Sequence, residues 1–190
     1  GSADLAGSNN TVIKGADSFG PAAITTDMWS AQPYGRNLHF GVREFAMGCI
    51  MNGIAADGIN RPYGGTFFVF SDYMKPAVRM AALMRVPIKF IWTHDAFRVG
   101  EDGPTHEPVE QEAQIRLMEK LQNHSGRDSV RVLRPADVHE TTVCWQMAME
   151  NLDTPTALIL SRQNVKDLPE GTNYEGAHRG AYTVIREENP

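Results

Sequence analysis

Thr93 to His106 is a run of fourteen residues holding two histidines, His94 and His106, and three carboxylates, Asp95, Glu101 and Asp102. Such side chains move protons and hold polar ligands. Gly100, Gly103 and Pro104 fix turns between them. The same run also reads as a polar surface loop with capping carboxylates, or as a metal site, although no His-x-x-x-His helix or cysteine pair backs the metal. In Gly41-Val42-Arg43-Glu44 a carboxyl falls in the first turn of an expected helix. It either complements the helix dipole from an exposed position or lies desolvated in a partly apolar pocket, where burial favours its neutral form. Phe67, Phe70 and Tyr73 recur every third residue, as core or as the wall of a flat heteroaromatic ligand. Arg162, in Leu160-Ser161-Arg162-Gln163-Asn164, suits a phosphate or carboxylate, or a salt bridge to a neighbouring loop.

These residues need elements to position them. Five apolar runs read as strands: Asn37–Phe40, Thr66–Phe70, Pro87–Thr93, Ser129–Leu133 and Thr156–Leu160. They are continuous rather than alternating, as strands covered on both faces of a parallel sheet are. Helical periodicity lies between them, over Arg43–Asp57, Tyr73–Met84, Val109–Gln122 and Asp137–Asn151. Asp72 is a candidate cap for the second, with Pro76 in its first turn. Asp137 with Glu140 three residues on forms a capping-box pattern for the fourth. Strands alternating with helices predict an α/β fold of three layers, α/β/α, around a mostly parallel sheet. Ligands in such sheets bind at the carboxyl ends of the strands, so the chemistry-bearing loops fall at the expected end. Residues 1–33 read mostly as loop, and residues 169–190 as a polar linker followed by a further strand, Ala181–Arg186.

Composition narrows the classes of function. The chain has 190 residues with a net charge of −5 and 42% hydrophobic residues, one soluble domain rather than two small ones. There is no basic stripe for nucleic acid and no apolar run near the roughly 20 residues that span a bilayer. Cys49 and Cys144 are expected as buried free thiols in a reducing cytoplasm. The abrupt start at Gly1-Ser2-Ala3-Asp4-Leu5, without a signal peptide or initiator methionine, suggests an excised or processed piece.

Seven runs, in order and over nearly the whole chain, resemble transketolases: Gly1 to Leu5, Gly41 to Glu44, Gly64-Gly65-Thr66-Phe67, Thr93-His94-Asp95, Gly100 to His106, Arg134-Pro135-Ala136-Asp137 and Ser161 to Asn164. The resemblance implies the central, pyrimidine-binding domain of a thiamine-diphosphate enzyme, with a parallel sheet of about six strands, over residues 1–168. Residues 169–190 are then a linker and the start of the carboxy-terminal domain. It also implies transfer of a two-carbon ketol unit from a ketose phosphate to an aldose phosphate, a step of the pentose phosphate pathway. Glu44 is implied to hydrogen-bond the aminopyrimidine N1′ as a neutral carboxyl. Phe67, Phe70 and Tyr73 are implied to surround the ring, and Asp4 to lie near the thiazolium and the subunit contact. Ser8, His94 and Arg162 are implied to bind the sugar phosphate, Asp102 to read the C2 hydroxyl, and His106 to lie near the C1 hydroxyl. On this reading Glu44, His94 and His106 are the catalytic candidates.

The sequence departs from the family at Phe45, where His is usual, at Ala96-Phe97-Arg98, where Ser-Ile-Gly is usual, and over the longer stretch Lys120–Ser129. The Gly-Asp-Gly run and following Asn that hold the diphosphate and its Mg²⁺ or Ca²⁺ are absent. No metal ligand is therefore expected here, and that site is expected in the amino-terminal domain of the other subunit of a homodimer. The isolated chain is expected to be inactive, and its partner surfaces to drive self-association. Two sibling activities, deoxyxylulose-phosphate synthase and dihydroxyacetone synthase, and a non-catalytic dimerising module remain as alternatives.

Overall fold

Four of the apolar runs pair side by side as parallel strands. The computed structural model describes residues 1–187. In chain order it contains α1 (Ala6–Asn9), β1 (Ser18–Phe19), β2 (Ala31–Gln32), α2 (Glu44–Ala56), β3 (Tyr63–Phe67), α3 (Lys75–Met84), β4 (Lys89–Thr93), α4 (Gln111–Lys120), β5 (Arg131–Leu133), α5 (Val138–Glu150) and β6 (Thr156–Ile159). Short 3-10 turns cover Phe68–Tyr73, Gly100–Asp102 and Tyr174–Arg179. The six strands divide into a four-stranded parallel sheet, ordered β3-β4-β6-β5, and a separate parallel pair, β1-β2.

Alternate residues of the central strands serve two cores, which is why their sequences are continuously apolar. Phe90 and Trp92 of β4 and Ala157 and Ile159 of β6 pack with Met47 and Met51 of α2, Val78 of α3 and Ile115 of α4. Ile91 and Leu158 point the other way, onto Cys144 and Ala148 of α5. The layers are therefore α/β/α. Glycines permit the tightest contacts: a Cβ on Gly64 would come within 2.4 Å of the Met51 sulfur, and one on Gly48 within 2.6 Å of the Ala77 Cβ. Both approaches seat α2 closely on β3 and α3.

Several elements differ from the sequence expectation. Asn37–Phe40 forms no strand; it is held by isolated bridges, Ser2 to His39 and Ser18 to Asn37. The run Thr66–Phe70 starts earlier, as β3, and turns into the 3-10 segment at Phe68. No strand covers Ala181–Arg186. Asp72 does not cap α3, whose flanking residue is Met74; its carboxylate instead takes Lys75 and the Gln111 amide. Cys49 is exposed, because α2 turns it away from the core, and only Cys144 is buried. There burial, with Glu140 adding, pushes the Cys144 thiol up to about 11.

The capping box of α5 forms as expected, with Asp137 accepting from the Glu140 amide at 2.8 Å. The other Asp137 oxygen accepts from Leu168 N–H and from the Tyr174 hydroxyl, and Tyr182 donates to Glu140. These bonds lay the tail across the start of α5. Burial raises the Asp137 carboxyl, but the Leu168, Glu140 and Tyr174 donors outweigh it and hold it below the usual carboxylate range. No helix among the described residues is long and apolar enough to cross a membrane.

Candidate functional site

The carboxyl ends of β3, β4 and β6 gather most of the candidate residues. β4 and β6 are neighbours, so the loops that follow them meet, and the Asp95 amide donates to Leu160 O at 3.2 Å. The chain leaves β3 at Phe67 and winds at once into the 3-10 turn, which turns Phe70 and Tyr73 toward the same end. The result is one aromatic cluster. The Phe67 ring stacks on the His94 imidazole with centroids 3.7 Å apart, and Phe70 lies 5.9 Å from Phe67. His106 meets Phe67 and Phe70 edge-on, at 5.9 and 5.4 Å. Tyr73 extends the wall outward, 62% exposed and 6.2 Å from Phe70.

His94 is fixed more firmly than its loop position suggests. Its φ is +59°, a left-handed conformation that a histidine adopts at a cost. The Asn9 amide donates to the Thr93 hydroxyl at 2.6 Å, and that hydroxyl meets His94 Nδ1 at 2.8 Å. The contact engages Nδ1 and leaves Nε2 as the ring nitrogen free for a ligand. Burial pulls His94 below the ordinary histidine value; Asp102 and Asp95 oppose this, and Arg162 and His106 reinforce it. The neutral ring is the favoured form. The sequence reading missed Asn9, which lies 84 residues from Thr93 and carries no local signal of the contact.

Arg162 reaches this cluster already paired. Its Nε lies 2.7 Å from Asp102 Oδ2, and a terminal nitrogen bonds Glu101. Of the two readings of Arg162, the salt bridge is the state observed. Both carboxylates sit on a short turn, Gly100–Asp102, so an anionic ligand reaches Arg162 by displacing them. Glu101 is the second residue the sequence reading left out of the site.

Glu44 opens α2 and is only 7% exposed. Its carboxyl makes no hydrogen bond or ion pair among the described residues. Its oxygens are not among the fully buried atoms left without a partner, so the carboxyl at the start of α2 is open to a hydrogen-bonding ligand. α2 leads back to the start of β3, so its first residue lies at the carboxyl end of the sheet, and α2 touches the 3-10 turn that carries Phe70. A flat ring bearing hydrogen-bonding nitrogens fits this pairing of aromatic wall and lone carboxyl. One face of Phe67 is already covered by His94, so Phe70 and Tyr73 offer the free aromatic surface.

Two candidates stand apart from the cluster. Asp4, at φ +65°, is exposed, and its charge acts on His39 rather than on the cluster. Ser8 is exposed on α1 and makes no bond to the cluster among the described residues, although the next residue, Asn9, reaches Thr93. Among the described residues no group of three or more His, Cys, Asp or Glu side chains is placed to hold a metal ion.

A doubly covered parallel sheet with its polar and aromatic loops at the carboxyl ends defines an α/β ligand-binding domain. Residues 1–167 match the family described as the transketolase pyrimidine-binding domain, and the chain belongs to that family. It is 53% identical to the transketolase of Mycobacterium tuberculosis (strain H37Rv) over 97% of this chain and 25% of that protein. It is 51% identical to the transketolase of Staphylococcus aureus (strain MW2) over 100% of this chain and 26% of that protein. Among solved structures, Campylobacter jejuni transketolase superposes with a TM-score of 0.81 at 41% identity, over 98% of this chain and 26% of that one. Pichia stipitis transketolase in complex with sedoheptulose-7-phosphate gives 0.83 at 44%, over the same shares. The chain spans about a quarter of the length of these relatives. The family implies thiamine diphosphate, and the sibling activities are not favoured.

Proposed function

We propose that this chain is the part of a transketolase that receives the aminopyrimidine half of thiamine diphosphate, in an enzyme moving a two-carbon ketol unit from a ketose phosphate to an aldose phosphate. The observation that carries the reading is Glu44, a largely covered residue whose carboxyl has no protein partner among the described residues, at the start of the helix that touches the aromatic turn. When bound, thiamine diphosphate supplies the acidic thiazolium carbon that takes up the two-carbon unit. This chain's own residues bind and orient. Glu44 gives a hydrogen bond to the pyrimidine N1′ as a neutral carboxyl, and Phe70 and Tyr73, with Phe67 behind them, wall the ring. Asp4 lies toward the thiazolium and the subunit contact.

His94 through Nε2, Arg162 and Ser8 hold the sugar phosphate. Asp102 reads the C2 hydroxyl once Arg162 has released it, and His106 addresses the C1 hydroxyl. The diphosphate and its Mg²⁺ or Ca²⁺ are held by the amino-terminal domain of the other subunit of a homodimer, as the missing Gly-Asp-Gly run suggests. We read residues 169–190 as a linker leading to the carboxy-terminal domain, since the family match stops at residue 167. Two unpaired cysteines support a cytoplasmic setting.

Calorimetric titration of the chain with thiamine diphosphate, with and without Mg²⁺, tests the reading against Glu44→Ala. The expected result is weak, Mg²⁺-independent binding that disappears in the variant, and no ketol transfer by the chain alone. Binding of equal strength in Glu44→Ala would overturn the role of Glu44. Turnover by the 190-residue chain would overturn the division of the site between subunits.

A further inference from the structure

A cavity lies beside the cluster above without coinciding with it. A cleft of about 700 Å³ opens where the loops after β4, β5 and β6 meet, and Asp95, Phe97, Arg98, Arg134, Asn164 and Lys166 line it. Its one acid is spent. Asp95 Oδ2 accepts from Arg134 at 2.7 and 3.1 Å, and Oδ1 accepts from the Phe97 amide. Arg98 and Lys166 make no ion pair among the described residues. Two uncompensated cations thus share one cleft in a chain whose net charge is −5, and like charges held together attract an anion.

Arg98 is set there against backbone preference. Its φ is +55°, a conformation that disfavours any side chain by about 1–2 kcal/mol relative to glycine. The Gln163 amide fixes the turn by donating to Arg98 O at 3.1 Å. The guanidinium lies 5.0 Å over the Phe97 ring, and that ring is 45% exposed. Arg162, which faces the His94 cluster, does not line this cleft.

We infer that the cleft is a second anion site, which takes the phosphate of a small phosphate monoester between Arg98, Lys166 and the free edge of Arg134, with the organic body lying against Phe97. A guanidinium pair and an ammonium match a phosphate dianion, and the cleft holds more than a phosphate alone. The site stands independently of the ketol-transfer reading, because it shares no cation with the Arg162 cluster.

Titration of the full chain with ribose 5-phosphate and, separately, with inorganic phosphate tests this, read by calorimetry and by amide chemical shifts. Arg98→Gly removes the charge and relieves the backbone, so the variant keeps its fold; Lys166→Gln removes the second cation. Each should weaken the ester at this cleft by about tenfold, the loss of one charge-assisted contact, read from the shifts at residues 95–98, 134–136 and 164–166. Arg162→Gln should leave the shifts at residues 95–98, 134–136 and 164–166 unchanged, whatever it removes around His94. Absence of saturable binding, or equal affinity in Arg98→Gly and Lys166→Gln, would overturn the site. So would loss in Arg162→Gln alone, which assigns the phosphate to the His94 cluster. Equal affinity for inorganic phosphate would overturn the assignment to an ester.

Discussion

Replacing Glu44 with leucine separates a binding residue from a structural one by the sign of a stability change. The residue is 7% exposed and its carboxyl has no partner among the described residues, and a polar group that loses much of its hydration without a partner costs up to about 1–3 kcal/mol. Against that, a carboxyl in the first turn of α2 gains about 0.3–1 kcal/mol from the helix dipole. Arg43 offers α2 no side-chain cap, so the dipole contribution is retained in full. The balance predicts that Glu44→Leu, similar in size and apolar, stabilises the ligand-free chain by about 1 kcal/mol, or roughly 2–4 °C for a domain this size. The same variant should lose thiamine binding. Urea unfolding without ligand gives the first number and calorimetric titration with thiamine the second. Destabilisation by more than about 1 kcal/mol would show that the carboxyl holds the fold together. Retained thiamine binding would show that the aromatics alone recognise the ring. A variant more stable yet unable to bind is the signature of a site built at the expense of the fold.

Four further outcomes follow from particular contacts. Lys89 is 1% exposed, and burial, with Arg61 adding, brings it down to about 8. Folding therefore disfavours the charged amine most fully below pH 8 and progressively less as pH rises toward its unfolded value of 10.5. Lys89→Met should stabilise by about 1–3 kcal/mol at neutral pH, with a gain that shrinks above pH 8; urea melts showing a pH-independent gain would refute the cause. His94 is also lowered, so the unfolded chain takes up its proton first, and stability falls as pH drops through and below 6.5; His94→Asn should flatten that part of the stability profile. Thr93→Val strips the Asn9 amide of its acceptor and should destabilise by about 1–3 kcal/mol, while the Nδ1 shift of His94 should report the loss of its hydrogen bond. Glu101→Gln removes one carboxylate from Arg162 on an exposed turn. Stability should stay nearly unchanged, as for an exposed ion pair, while the chain's affinity for a sugar phosphate at Arg162 rises severalfold.

What the sequence conveys depends on how local the cause is. β4 and β6 are legible because every residue of each is buried, which leaves an unbroken apolar run in the chain. The start of α5 is legible because its cap is made by Asp137 and Glu140, three positions apart. Phe68–Tyr73 misleads because Phe-Phe-Val-Phe suits a strand by composition, while the packing of Phe68 into the α2–α3 core winds it into a turn. Asn37–Phe40 misleads for another reason: its backbone partners are Ser2 and Ser18, and only the assembled amino-terminal segment decides that they are single bridges.

The site divides the same way. Residue types at the carboxyl ends of the strands mark it out. The couplings that set its state, Asn9 to Thr93 and Arg162 to Glu101, join residues 84 and 61 positions apart. Those couplings lie at one end of β4 and the buried Lys89 at the other. Changes at the amino end of that strand should therefore shift stability, and changes at the carboxyl end recognition. A Lys89→Met chain that binds thiamine and ribose 5-phosphate as the original does would bear out that separation. A loss of either would mean that strain crosses the five residues of β4 and that the two ends act as one unit.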